Sequence, residues 1–444
     1  MKIKHLTPFI LSLFSVGFLT SCNNVPTNKE VPSVDDFLAK NEETVEAKIT
    51  LSFPGNNQSI SILKPNVVNY IDAMHKQAEA IVDDYIPHDF YAYADSKLTS
   101  DAIGSVSNDT DKVRIRDYLS SNNESKSKNV SFVFDATGFA EGTEFVVKVS
   151  QNEDLSNAIE VETTGNYVTV NNLFAGATYY WQVSSKDNSV QSPIQNFKTN
   201  DGFRMVTAEG ITNIRDIGGR RVSGGKRIKQ GLIFRGSELV DAEYNAPDSG
   251  DKHSKTLTEE NKKVLQDELL IGYEFDFRGN AEANNITESP LKDETHNVLY
   301  KRISSVTSYD YTFAKSDAEW ALVEEMFRAF INANERHVYF HCWGGADRTG
   351  TTAFLLAAVL GSSITDLIID FELTSFSRNV RPHDEYTKIY RMPSLLYEIF
   401  KGDFFAPFRE ENKPLKDIIA DYMISKTNLT QADFDALREN LLED

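Results

Sequence analysis

Residues Val338 to Gly350 read Val-Tyr-Phe-His-Cys-Trp-Gly-Gly-Ala-Asp-Arg-Thr-Gly, and few folds accommodate that order. The apolar opening fits a short buried strand. Gly344 and Gly345 fit a tight loop, because glycine adopts backbone angles that other residues avoid. The apolar run after Thr349 predicts a helix to about Leu360. A strand that feeds a helix through so short a loop belongs to an α/β layout, where the carboxyl ends of strands gather chemistry.

The loop pairs Cys342 with Arg348, six positions later. Its backbone N–H groups, from Trp343 through Gly344, Gly345, Ala346 and Asp347 to Arg348, are expected to point inward as a nest for phosphate oxygens. The following helix adds its N-terminal dipole. Arg348 adds a planar fork that grips two oxygens at once. The same positive surroundings favour a thiolate at Cys342. Attack by that thiolate on a phosphate monoester would give a phosphocysteine, which water then hydrolyses. A lone cysteine at a strand end can also be a small buried apolar residue. What distinguishes this one is that Arg348, Thr349 and the glycines fall in register with it. His341 either orients the loop and supports the thiolate or simply packs, and the sequence leaves both open.

The order His-Cys-x5-Arg-Thr-Gly resembles the signature of the cysteine-dependent protein tyrosine phosphatases. The resemblance implies that Cys342 is the nucleophile, that Arg348 binds phosphate, and that Thr349 helps the thiolate leave in the second step. One bacterial branch of that family is similar at further points. Ile211 to Gly219 looks like its Asn-Phe-Arg-Asp-Leu-Gly-Gly motif, and Gly231 to Ser237 like its Gly-x-x-x-Arg-Ser segment. Asp276-Phe277-Arg278 looks like its Asp-Leu-Arg, with Glu282 following. With the loop, these segments extend the resemblance over 201–444. The leaving group needs a proton, normally from a carboxylic acid. The Trp-Pro-Asp tripeptide of the common tyrosine phosphatases is missing, and the branch instead carries an aspartate inside the loop. That implies Asp347 as general acid, with Asp276 and Asp310 in reserve. The alternative role for Asp347 is to brace the loop against Arg278 or Arg348, and His341, Asp276 and Arg278 stand as supporting residues. Arg215, Asp216 and Arg235 are expected to form a bracing network behind the loop. Ala346 stands where the branch has lysine, which disfavours polyphosphorylated lipids and leaves phosphoproteins and small phosphomonoesters, aryl phosphates included. Two alternatives remain: an inositol-phosphate or phosphoinositide phosphatase, and a surface protein that binds a phosphorylated ligand without turnover.

The formal charge of −20 over 444 residues, with no basic stripe to offset it, argues against a nucleic-acid partner. Only two cysteines are present, so neither a zinc cluster nor a disulfide framework is expected, and no metal or cofactor is called for. The second cysteine, Cys22, ends a leader: Lys2 and Lys4 precede an apolar run from Pro8 to Thr20 that is too short to span a bilayer. Leu19-Thr20-Ser21-Cys22 resembles the lipobox of bacterial lipoproteins. The resemblance implies cleavage of 1–21, acylation of Cys22 and a membrane-anchored protein of the cell envelope. Residues 22–47 then serve as a tether.

Between tether and catalytic region the patterns change twice. Residues 48–128 are without a clear plan, apart from weak alternation up to Leu63 and a helix over 65–86, with apolar Val67, Ile71, Met74, Ala78, Ile81 and Tyr85. Residues 129–200 carry short alternating strands at roughly ten-residue spacing, the pattern of a β-sandwich. Asn172 to Val183 resembles a fibronectin type III module at one corner, and a strand near Ile49 is a candidate for its first strand. Over 201–444, helices are expected at 258–270, 317–334, 364–374 and 431–442, alternating with strands. That alternation predicts a central, mostly parallel sheet flanked by helices. The sequence does not address oligomeric state.

Overall fold

Strand β1 (Lys48–Phe53) turns Ile49 and Leu51 inward and its polar residues outward, the period of two that a half-buried strand requires. It belongs to a computed structural model that describes residues 45–78, 113, 115–120, 124–240, 257–306, 316–377 and 413–444. Cys22 with its leader, the tether up to residue 44, the expected helical residues 79–86 and Asp310 lie outside the described residues. After β1 come β2 (Gln58–Ile60) and helix α1 (Pro65–Ala78). Pro65 suits a first helical turn, where its missing N–H would have no partner anyway. One face of α1 buries Val67, Tyr70 and Ile71.

The next strands are β3 (Val130–Thr137), β4 (Phe145–Ser150), β5 (Ile159–Thr163), β6 (Tyr167–Val170), β7 (Thr178–Ser185) and β8 (Gln195–Thr199). They form two sheets, β1-β3-β6 and β2-β8-β7-β4-β5. The strand near Ile49 does join this set: β1 runs antiparallel to β3, with Ile49 opposite Ala136. Inward residues of both sheets, among them Phe132, Phe134, Val147, Trp181 and Phe197, share one apolar core with α1. Phe132 meets Trp181 edge to face at 5.2 Å, a geometry favoured by the ring quadrupoles.

A second sheet system follows. Its elements are β9 (Arg215–Asp216), β10 (Arg227–Ile228), β11 (Ile233–Gly236), α2 (Glu259–Lys263), β12 (Ile271–Asp276), β13 (Leu299–Arg302), α3 (Asp317–Ile331), β14 (His337–His341), α4 (Asp347–Val359), α5 (Ile364–Glu372), α6 (Leu415–Lys426), α7 (Gln431–Leu441) and β15 (Leu442–Glu443). The main sheet has the order β13-β12-β14-β11-β9. All its pairings are parallel except β9 with β11. Capping boxes at Ser316/Glu319 and Thr430/Asp433 start α3 and α7, as their spacing in the sequence predicts. The helix expected over 258–270 is instead a single turn, α2, that widens into a π turn (Val264–Glu268). Helix α6 was not anticipated, although Leu415, Ile418, Ile419 and Met423 have helical spacing and all are buried.

Strand β14 lies at the centre of the sheet and is buried almost throughout. Helix α4, which leaves the loop after it, is buried from Thr349 to Val359. A helix sunk this deeply has little freedom to shift, and it fixes the loop between strand and helix. Residues 47–444 form one compact unit. The two sheet systems meet on α5. Ile364, Leu367, Ile368 and Phe371 enter the core beside the parallel sheet, whereas Ile369 enters the core of the first half, joined by Leu373 and Phe376 just beyond the helix. The Tyr70 hydroxyl on α1 donates to Glu372, and His75 meets Asp366 at 2.8 Å. Among the described residues, no helix is long and apolar enough to cross a membrane.

Candidate active site

The loop from Cys342 to Ala346 hangs from the carboxyl end of β14, between the ends of β12 and β11. Its carbonyls are tied to surrounding groups one after another. The carbonyl of Cys342 accepts from His341 Nδ1 at 3.0 Å, and that of Trp343 from the Glu238 amide at 3.0 Å. The carbonyl of Gly344 accepts from Asn213 Nδ2 at 3.1 Å. That of Gly345 accepts from Asn213 Nδ2 at 3.0 Å and from Arg235 at 2.8 Å. In a planar trans peptide the N–H points opposite to the carbonyl. The amides of Trp343, Gly344, Gly345 and Ala346 are therefore turned away from those partners. Gly345 sits at φ 66°, and a Cβ there would lie 2.2 Å from the Gly236 carbonyl oxygen. Only glycine passes this close to the end of β11.

Cys342 is a free thiol, 4% exposed. Arg348, in the first turn of α4, holds its guanidinium in a bidentate pair with Glu282, at 2.7 and 2.5 Å, and donates to the Phe277 carbonyl at 2.9 Å. Burial works against the Arg348 charge, but Glu282 and Cys342 more than offset it and raise its pKa. Burial likewise pushes the Glu282 carboxyl up, and Arg348 brings it below its ordinary value. Thr349 is fully buried, and its hydroxyl has no hydrogen-bond partner among the described residues. Asp347, the first residue of α4, is half-buried, as is Trp343.

Beneath the loop lies a second carboxylate–arginine group. Arg278 donates to both oxygens of Asp276 and reaches Glu238 at 2.9 Å. Tyr300 donates to Asp276 at 2.9 Å. Burial pushes the Asp276 carboxyl up, yet His341 and Arg278 together hold it below its usual range. A carboxyl so buried and so thoroughly bonded is held in its charged form by its neighbours. His341 turns its other nitrogen to Glu274 at 2.9 Å, and both side chains are fully buried. Glu274, Asp276 and His341 bring one donor atom each within 4.8 Å of one another, a spacing that would suit a metal ion. The Asp276 oxygens are already committed to Arg278 and Tyr300, so an ion there would have to displace them.

Behind the loop, Arg215 and Arg235 form the expected network with one member the sequence did not reveal, whereas Asp216 stands apart from it. Asp370 of α5 pairs with Arg235 at 2.5 Å and Arg215 at 3.4 Å. Arg215 also donates to Asn213 Oδ1, and so steadies the amide that holds the Gly344 and Gly345 carbonyls. Burial pushes the Asp370 carboxyl up, but Arg235 and Arg215 hold it well below the carboxylate range. Burial and the charge of Arg235 bring Arg215 down to about 9. Asp216 pairs with Arg204 at 2.8 Å, on the side facing the first half of the chain.

Glu274 and Asp370 were missed because each lies inside an apolar run, Gly-Tyr-Glu-Phe-Asp and Ile-Ile-Asp-Phe. A charge in such a run is itself a signal, since a buried carboxylate needs a partner. The geometry agrees with comparisons to known proteins. The model of the tyrosine phosphatase family matches residues 206–443. A protein of Cupriavidus necator whose name is that of a tyrosine-protein phosphatase is 28% identical over 212 residues, which cover 44% of this chain and 70% of that protein. The matched stretch spans the parallel sheet, the loop and its arginine, and the chain belongs to the tyrosine phosphatase family.

Proposed function

We propose that the protein is a phosphomonoester hydrolase that works through a phosphocysteine. The observation that carries the reading is the run of tied carbonyls from Cys342 to Gly345, which leaves successive amides turned to the other side of the loop around a buried thiol. Four such amides and the start of α4 make a site for a phosphate dianion. Arg348 would hold two phosphate oxygens, its plane set by Glu282. The Cys342 thiolate attacks phosphorus, and the ester oxygen leaves as an alcohol or phenol with a proton from Asp347. Water then attacks phosphorus and the thiolate departs, aided by the buried Thr349 hydroxyl. Ala346 supplies no side-chain cation, so the site suits a single phosphate on a protein or small molecule, and an aryl phosphate is a fitting probe.

The same reading places the enzyme on a membrane of the bacterial envelope through an acylated Cys22. It takes residues 129–200, with a first strand supplied near Ile49, as a fibronectin type III-like module, a view supported by the strand order of its two sheets. Turnover of an aryl phosphate in the presence of a chelator, inhibition by vanadate, and loss of both turnover and burst in Cys342→Ser test the chemistry. Activity that survives Cys342→Ser would refute it, and a bound phosphoester without product release would favour the binding-protein alternative. Mass analysis of the mature N-terminus tests the anchor.

A further inference from the structure

His341 is surrounded by acceptors. Nδ1 faces the Cys342 carbonyl oxygen at 3.0 Å, an atom that can only accept, so Nδ1 carries a proton. Nε2 faces Glu274 Oε1 at 2.9 Å, and a proton must lie in that contact as well. The two protons are compatible either with an imidazolium beside a carboxylate or with a neutral ring beside a carboxylic acid. The surroundings choose between them. Nδ1 is 3.9 Å from Asp276 Oδ1, and Arg278, paired with both Asp276 and Glu238, offsets part of the negative charge there. Tyr339 lies alongside the ring, 5.5 Å between centroids, and Cys342 follows it in the chain. Burial pushes the His341 imidazole down, but Asp276 and Glu274 raise it above its ordinary value. Among the described residues the other Glu274 oxygen has no hydrogen-bond partner, and His341 is the group in direct contact with this buried side chain.

We infer that Glu274 is a positioning residue that keeps His341 an imidazolium beneath the loop, so that a fixed positive charge supports the Cys342 thiolate and a permanent donor ties the first loop carbonyl. The inference rests on the thiolate reading of the site. It explains why β12 carries Glu274 at full burial, and why both ring nitrogens have acceptors. A neutral histidine would satisfy the loop carbonyl equally well but would lend the sulfur no charge.

Two measurements test it. In Glu274→Gln of the full chain, the rate of Cys342 alkylation by iodoacetate against pH should shift upward by about one pH unit, with a tenfold slower reaction on the acid side. The acid limb of kcat/KM for an aryl phosphate should move with it. An unmoved alkylation profile in a variant that melts like the wild type overturns the inference. Should that variant fail to fold, nitrogen-15 NMR of the wild-type histidines decides. Both His341 ring nitrogens should carry protons from pH 5 to 8, identified by their loss in His341→Asn, and a neutral ring in that range overturns the idea. The phosphatase reading fails separately: an active Cys342→Ser would end it, whereas an inactive Cys342→Ser with an unmoved Glu274→Gln profile removes only the role given to Glu274.

Discussion

Arginine–carboxylate pairs stand on both sides of the loop, and they are made differently. In front, Arg348 and Glu282 meet through two short contacts, with 19% and 32% of their side-chain surface still exposed. At the rear, Arg235, Arg215 and Asp370 are sealed from water, and Arg235 also grips the Gly345 carbonyl while Arg215 grips Asn213. Breaking a sealed pair strands a charge in a dry interior, whereas a pair near water can exchange its partner for solvent. The rear group thus holds the loop's shape, and the front group is free to serve a ligand.

Four substitutions put that contrast to the test. Asp370→Asn should be the most damaging, lowering stability by about 3–5 kcal/mol at pH 7 in denaturant unfolding. Because the folded-state carboxyl lies below its ordinary value, its contribution is complete above about pH 4 and lost as pH falls through the lower folded value. The gap between wild type and Asp370→Asn should therefore close in acid, and a constant gap would count against ionic bracing. Arg348→Lys should leave stability within about 1 kcal/mol but lower kcat/KM about a hundredfold, since an ammonium cannot make the planar two-oxygen grip. An equally large loss of stability would erase the distinction between front and rear. Glu282→Gln should raise KM about tenfold by loosening the Arg348 plane, with a stability change below about 1 kcal/mol. Tyr70→Phe removes only the hydroxyl that reaches Glu372 and should cost about 1 kcal/mol, with kcat/KM held within about twofold.

What was legible in the sequence followed from local rules. The loop, its strand and its helix could be placed because cysteine, glycine, arginine and apolar run each have a local reason to be where they are. The same held for the capping boxes at Ser316 and Thr430, and for the alternating strands from Val130 to Thr199. Partners distant in sequence were not legible. Asp370 lies 135 positions from Arg235, and Glu274 67 positions from His341. Nothing in either neighbourhood names the other, and only the parallel pairing of β12 with β14 brings Glu274 beside the histidine. The π turn after α2 was hidden for a different reason. Its residues keep a helical pattern while the hydrogen bonds widen, as in Leu269 N–H to the Val264 carbonyl.

Helix α5 has a consequence for how the chain would respond to cutting. A protease that nicked the backbone near Asp201 would sever the peptide but not the shared wall, because Ile369, with Leu373 and Phe376 just beyond the helix, remains embedded among Phe132, Trp181 and their neighbours. The fragments should travel together on a sizing column, and separating them would strip apolar surface from both. The amino-terminal half would then act as an internal chaperone for the carboxyl-terminal one.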